Sequence, residues 1–227
     1  MPLLEIACFN VESGLIASHN GASRIELCKD AHLGGTTPLL SDFKSLKSQV
    51  SIPIYVMIRP RGGNFQYSEQ ELIVMSRSIK EFGDAGADGF VFGVLEDSKC
   101  VDRDACGDLQ RITRGRPCTF HRAFDEIPPE LMEQGLEVLV QMGFKSVLTS
   151  GGGKGAVEGK ERLKRLVEQA GDRIEVIVGG GVRSINLESL REITRARWFH
   201  SSAVVGRGGG SSDAEVKALR EGLESQD

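Results

Sequence analysis

IEVIVGGGV, residues 174–182, carries the apolar core Val176-Ile177-Val178 without strict alternation and then breaks into three glycines. A run of this kind is a strand covered on both faces, as in a parallel sheet. The glycines permit a tight turn out of it. Seven more short runs share the design on either side: LLEIACF from Leu3, RIELC from Arg24, IPIYVMIRP from Ile52, GFVFGVL from Gly89, PCTFHRAF from Pro117, SVLTSG from Ser146 and RWFHSS from Arg197. Their starts lie about 28 residues apart on average, the length of one strand plus one crossover helix. Between them the period changes. From Ser68 to Ala85, the residues Leu72, Ile73, Met75, Ile79 and Phe82 recur at helical steps, and residues 130–142 and 160–170 behave alike. Ser68 with Glu71 reads as a capping box and Pro128-Pro129 as a helix start, while Gly83 or Gly86, Gly143 and Gly171 read as helix ends. Eight such units close a (β/α)8 barrel of the TIM type, expected as a single domain over residues 1–227.

Composition narrows the function classes. A net charge of -4, with no stripe of Lys and Arg among aromatics, gives no footing for nucleic acid. The N-terminus lacks a basic region followed by a long apolar one, and no apolar run approaches about 18 residues, so neither membrane association nor export is expected and a cytoplasmic location is. Five cysteines without framework spacing suit free thiols in a reducing compartment. The glycine-rich stretch from Gly206 to Ser212 reads as a flexible connection into a final helix over 213–224.

In such a barrel, ligands sit at the carboxyl ends of the strands, so Glu26, Arg59, Arg61, His121, Arg122, Asp125, Thr149, Ser150 and His200 are expected around one mouth. Gly180 and Gly181 after the seventh strand, with Ser202 after the eighth, form the loops that bind phosphate in many barrels through backbone N–H groups. The plainer reading is a tight strand-to-helix turn. Arg59 and Arg61, held apart by Pro60, make an anion clamp because each guanidinium is a planar fork of donors; alternatively Arg59 neutralises a buried Glu26 or Glu5. His121 can transfer protons near neutral pH, with Asp125 on the same strand face to orient it, or it is a core histidine beside a helix cap.

Cys8 and Cys28 close the first and second strands, which are neighbours in the barrel. Paired thiolates there could bind a soft ion such as Cu(I), or each cysteine is a small buried hydrophobe. Strand parity bears on the choice: Glu26 and Cys28 share a face, whereas Glu5 and Cys8 do not unless the first strand bulges.

The segments LLEIACF, GASRIELC, GGTTP, IPIYVMIRPRGGNFQYS, GADGFVFGVL, TFHRAFDEIP, VLTSGGGKGAVEG, VGGGVRSINL and FHSSA follow one another in an order that resembles the CutC family of copper homeostasis proteins, from residue 3 to about 203. The resemblance implies a cytoplasmic (β/α)8 barrel, dimeric or higher in assembly, with a role in copper handling. It also implies Cu(I) ligation at Cys8 and Cys28. One departure is the direct passage from Val204 through Ser212 into Asp213, where relatives carry a longer loop.

Two functions are thus expected. The first is a homeostasis protein that holds Cu(I) with the thiolates of Cys8 and Cys28. The second is an enzyme, or a former one, acting on a small anionic substrate such as a phosphate ester. There Arg59, Arg61, Thr149, Ser150, Gly180, Gly181, His200 and Ser202 bind the anion, and His121, Glu26 or Asp125 moves a proton.

Overall fold

A computed structural model describes residues 2–206 and 210–224. Its eight strands are β1 (Leu3–Cys8), β2 (Arg24–Leu27), β3 (Ile54–Met57), β4 (Gly89–Phe92), β5 (Cys118–Phe120), β6 (Ser146–Thr149), β7 (Glu175–Val178) and β8 (Trp198–Ser201). They pair in sequence order, all parallel, and β8 returns to β1 with Glu5 opposite His200 and Ile6 opposite Ser201. One helix follows each strand: α1 (Val11–His19), α2 (Leu40–Lys47), α3 (Glu69–Asp84), α4 (Arg103–Ile112), α5 (Met132–Gln141), α6 (Lys160–Ala170), α7 (Ser184–Thr194) and α8 (Asp213–Glu224). This is the TIM-type barrel expected from the spacing of the apolar runs.

Strand parity separates two interiors. The outward positions Leu4, Ile6, Ile25, Leu27, Ile54, Val56, Phe90, Phe92, Phe120, Val147 and Phe199 join the inner faces of the helices in one apolar layer. Phe43 and Phe82 meet edge-to-face at 5.5 Å within it, and each such ring contributes about 1.5–3 kcal/mol through burial. Inside the barrel the filling is different: Cys28, Tyr55, Met57 and Val91 pack with Phe9 beside buried Glu5, Arg24 and Glu26. Continuous apolar strands on the outside therefore enclose a partly charged bore.

Local signals explain the helix ends. Ser68 Oγ accepts from the Glu71 amide and Glu71 returns a carboxylate to the Ser68 amide, which completes the capping box of α3. At α7 the first-turn donors are met from another helix, since Glu215 on α8 accepts from both the amide and the hydroxyl of Ser184.

Two expectations shift. The helix after Pro128-Pro129 begins at Met132, because residues 129–131 form a turn closed by Leu131 N–H on the Pro128 carbonyl at 2.8 Å. Strand β5 stops at Phe120, and Arg122–Glu126 is a 3₁₀ turn. The alternation that would place His121 and Asp125 on one strand face does not extend that far. Residues 207–209 of the glycine-rich connection lie outside the described residues, and on either side of them Val204 and Ser211 form an antiparallel bridge.

Candidate functional site

The bore is organised around Glu5. Its carboxylate, fully buried, meets Arg24 Nε at 2.5 Å and His200 Nδ1 at 2.7 Å. Arg24, not Arg59, is therefore the counter-ion of Glu5, and its guanidinium lies between the rings of Tyr55 at 4.0 Å and Trp198 at 4.3 Å. Burial works to raise the Glu5 pKa, but Arg24 and His200 overcome it and hold it down at about 2. The other nitrogen of His200, Nε2, stands 3.9 Å from Glu26 Oε2. Burial lowers the His200 pKa, and Glu26 with Glu5 more than reverses that, so it lies above its ordinary value. Glu26 is displaced upward, by burial first and by the Glu5 charge as well. Its Oε2 accepts from the Cys28 thiol at 3.4 Å, while its buried Oε1 meets no donor among the described residues. Glu5, Glu26 and His200 bring possible ligand atoms within 4.8 Å of one another, an oxygen and nitrogen set that Arg24 already neutralises in part.

Above this layer opens a cavity of about 200 Å³ at the carboxyl ends of the strands. Glu26, Arg59, His121, Arg122, Gly180, Gly181, His200 and Ser202 all line it. His121 is fixed by its own turn, because Nδ1 accepts from the Ala123 amide at 3.3 Å. That bond leaves the proton of a neutral ring on Nε2, a buried donor with no acceptor among the described residues. Burial, then the Arg59 charge, lowers the His121 pKa to about 3, so the ring stays neutral. Arg59 is a clamp of a different kind from the one expected: its Nη1 donates to the carbonyls of Leu33 and Gly35, its Nη2 to that of Gly63, and its guanidinium carbon lies 4.7 Å from the centre of the Phe65 ring. It ties the loops after β2 and β3 together while lining the cavity.

Other candidates fall behind the wall. Arg61 spends its fork on Glu71, Asn64 and the Gln66 carbonyl, away from the cavity. Asp125 accepts from Thr149 Oγ1 at 2.5 Å, from the amides of Ser150 and Gly152, and from Arg122 Nε at 2.8 Å. Thr149, Ser150 and Asp125 thus brace the loop after β6, and the brace aims Arg122, whose Nη2 donates to Ser150 Oγ at 3.2 Å. At Gly180, where φ is +93°, a Cβ would stand 2.9 Å from that of Ser150 and 3.4 Å from the Arg122 guanidinium carbon. Only a residue without a side chain lets the β7 loop approach so closely.

Sequence reasoning missed Arg24 and Arg183. Parity along RIELC was the signal for the first, since Arg24, Glu26 and Cys28 alternate on one face. Arg183, one residue beyond the glycine turn after Val182, lines the cavity and donates to the Val182 carbonyl, to the hydroxyls of Ser201 and Ser202, and to the Val204 carbonyl. Nothing in its position alone separated it from a helix-capping basic residue.

The two cysteines sit on opposite sides of the strand layer. Cys28 belongs to the bore and Cys8 to the outer apolar layer, where its thiol donates to the Ile6 carbonyl at 3.5 Å. Strand β1 keeps its register through Cys8, paired with Leu27, so the parity that separates Glu5 from Cys8 holds. Burial, reinforced by Glu26, pushes both thiols well above their usual range.

Fold and cavity define a (β/α)8 barrel whose mouth is lined by charged and apolar side chains together. The CutC family model matches residues 2–205, and the chain belongs to the CutC family. It is 45% identical over 201 residues to the human "Copper homeostasis protein cutC homolog", covering 88% of this chain and 73% of the relative. The crystal structure of a CutC protein from Streptococcus agalactiae superposes with a TM-score of 0.85 at 34% identity, covering 89% of this chain and 99% of that one. A phosphoribosyl anthranilate isomerase from Thermococcus kodakaraensis, at 15% identity and a TM-score of 0.68 with both chains fully covered, shares the fold alone. Among the described residues no helix is long and apolar enough to cross a membrane.

Proposed function

We propose that the chain serves copper homeostasis in the cytoplasm by holding Cu(I) with the thiolates of Cys8 and Cys28, as a homodimer or higher homo-oligomer. The observation that supports it is the lateral pairing of the two residues, whose backbones are joined by the Cys28 amide on the Cys8 carbonyl at 2.8 Å. A thiol must lose its proton to ligate a metal, and Glu26 Oε2 already accepts from the Cys28 thiol. The reading requires the Cys8 thiol to turn from the outer layer toward the bore, at the point where β1 gives way to the Asn10 cap of α1. Bathocuproine competition on the wild-type chain and on the double variant Cys8→Ser, Cys28→Ser tests it: stoichiometric Cu(I) is expected only in the former. Retention by the double variant overturns the reading. An interface would cover apolar side chains such as Ile185, 93% exposed at the start of α7, and light scattering on the eluted protein reports the assembly.

A second reading, a site for a small anionic ligand in the mouth, is favoured by three buried polar atoms without partners among the described residues, Glu26 Oε1, His121 Nε2 and Arg59 Nε, on residues that line a cavity also carrying Arg122 and Arg183. Buried polar groups are normally satisfied, so such atoms mark where a ligand's own polar atoms belong. Inorganic phosphate or a phosphate ester that raises the melting temperature of the copper-free chain is the expected sign.

A further inference from the structure

We propose that the mouth of the barrel is a binding site for a small hydroxylated organic anion, with its hydroxyl or carbonyl groups between Glu26 and His121 and its anionic end against Gly180, Gly181, Arg122 and Arg183. This rests on the second reading above and adds the class of ligand.

The polar atoms set the ligand's pattern. His121 presents Nε2–H, a donor, because its Nδ1 is held by the Ala123 amide. Glu26 presents Oε1, an acceptor, because its Oε2 is engaged by Cys28. Both side chains are nine-tenths or more buried, and both line the cavity. A guest therefore has to offer an acceptor to one and a donor to the other, which a hydroxyl or a hydroxyl–carbonyl pair does and an alkyl chain does not. A guest that cannot make these bonds leaves buried polar groups unpaired and loses affinity for that reason.

The charge pattern sets the other end. Arg59, Arg122 and Arg183 line the cavity against one carboxylate, Glu26. Arg59 gives its terminal nitrogens to three loop carbonyls and Arg183 gives its own to Val182, Ser201, Ser202 and Val204, so both act as fixed positive charges, while Arg122, beside Gly180, has an Nη1 that donates to no acceptor among the described residues. The amides of Gly180 and Gly181 donate to no acceptor among the described residues. Glycines with φ of +93° and +78° let the main chain approach a phosphate or carboxylate without a Cβ in the way. The size fits as well: a cavity of about 200 Å³ has room for roughly seven waters, hence for roughly three to five carbons and one anionic group.

Calorimetry on the full copper-free chain, with sn-glycerol 3-phosphate, n-propyl phosphate and inorganic phosphate as probes, tests the inference. The expected result is that the glycerol ester binds at least tenfold more tightly than the propyl ester, since the latter leaves Glu26 and His121 unpaired. In His121→Phe, checked for folding by circular dichroism, that ratio is expected to fall toward one. Equal affinity for the two esters in the wild-type chain overturns the hydroxyl recognition and leaves the anion reading standing. No binding of any of the three overturns both. Should His121→Phe fail to fold, the wild-type series decides alone.

Discussion

His200 on the last strand hydrogen-bonds Glu5 on the first, Nδ1 to Oε1 at 2.7 Å, so the seam that closes the barrel is sealed by side chains as well as by the β1–β8 ladder. Glu5 also depends on Arg24, and the pair is almost wholly buried. Removing one partner of a buried ion pair strands the other charge, at a cost of about 3–5 kcal/mol. Arg24→Met is therefore expected to lose about that much stability in urea unfolding. Adding Glu5→Gln to it is expected to restore part of the loss. A single variant within about 1 kcal/mol of wild type would show that Glu5 is not held in this way.

The neutral His121 makes stability depend on acidity. Its pKa is near 3 in the folded chain and about 6.5 in the unfolded one. The unfolded state thus takes up the proton first as pH falls. The stabilisation is complete above about 6.5 and is lost on the way down to about 3, at no more than about 1.4 kcal/mol per pH unit. Unfolding free energies measured at pH 7, 6 and 5 are expected to fall more steeply for wild type than for His121→Phe. Parallel slopes would refute the assignment.

Thiol reactivity should follow burial. Cys8, Cys28, Cys106 and Cys118 are buried, whereas Cys100 is partly exposed. Burial raises the first two thiols and pushes both Cys106 and Cys118 up to about 12. The thiolate is the reacting form. Iodoacetamide near neutral pH is expected to label Cys100 at least tenfold faster than any of the others, as read by peptide mass spectrometry, and all five together in denaturant. Early labelling of Cys28 in the native chain would contradict the burial.

Two glycines offer a matched contrast. A Cβ at Gly159, ahead of α6, would fall well inside contact distance of the Ser150 carbonyl oxygen. At Gly107 within α4 it would meet nothing. Gly159→Ala is expected to cost more than about 3 kcal/mol through backbone displacement, and Gly107→Ala to gain about 0.5–1 kcal/mol through helix propensity. Thermal unfolding of the two single variants checks both signs.

The barrel was legible in the sequence because strands covered on both faces leave uninterrupted apolar runs and helices leave a longer period, and the crossover length spaced them evenly. Gathering of Glu26, His121, Arg59 and His200 at one end followed from that topology. Where side chains turn within the end loops was not legible. Arg59 and Arg61 look alike in RPRGG, yet one lines the cavity and the other pairs with Glu71. Asp125 looked like a partner for His121, but the 3₁₀ turn delivers it to Thr149 and Ser150. Cys8 and Cys28 end adjacent strands, and only parity hinted that their thiols face apart.

The layer of Glu5, Arg24, Tyr55 and Trp198 has one more consequence. It fills the bore beneath the mouth with a buried ion pair held between two rings, so among the described residues the floor of the cavity is made of charged and aromatic side chains. With that floor fixed from below, the shape of the chamber is set from above by the end loops that Arg59 and Asp125 lash in place, and loosening either lash is expected to slacken the rim while the floor keeps its form.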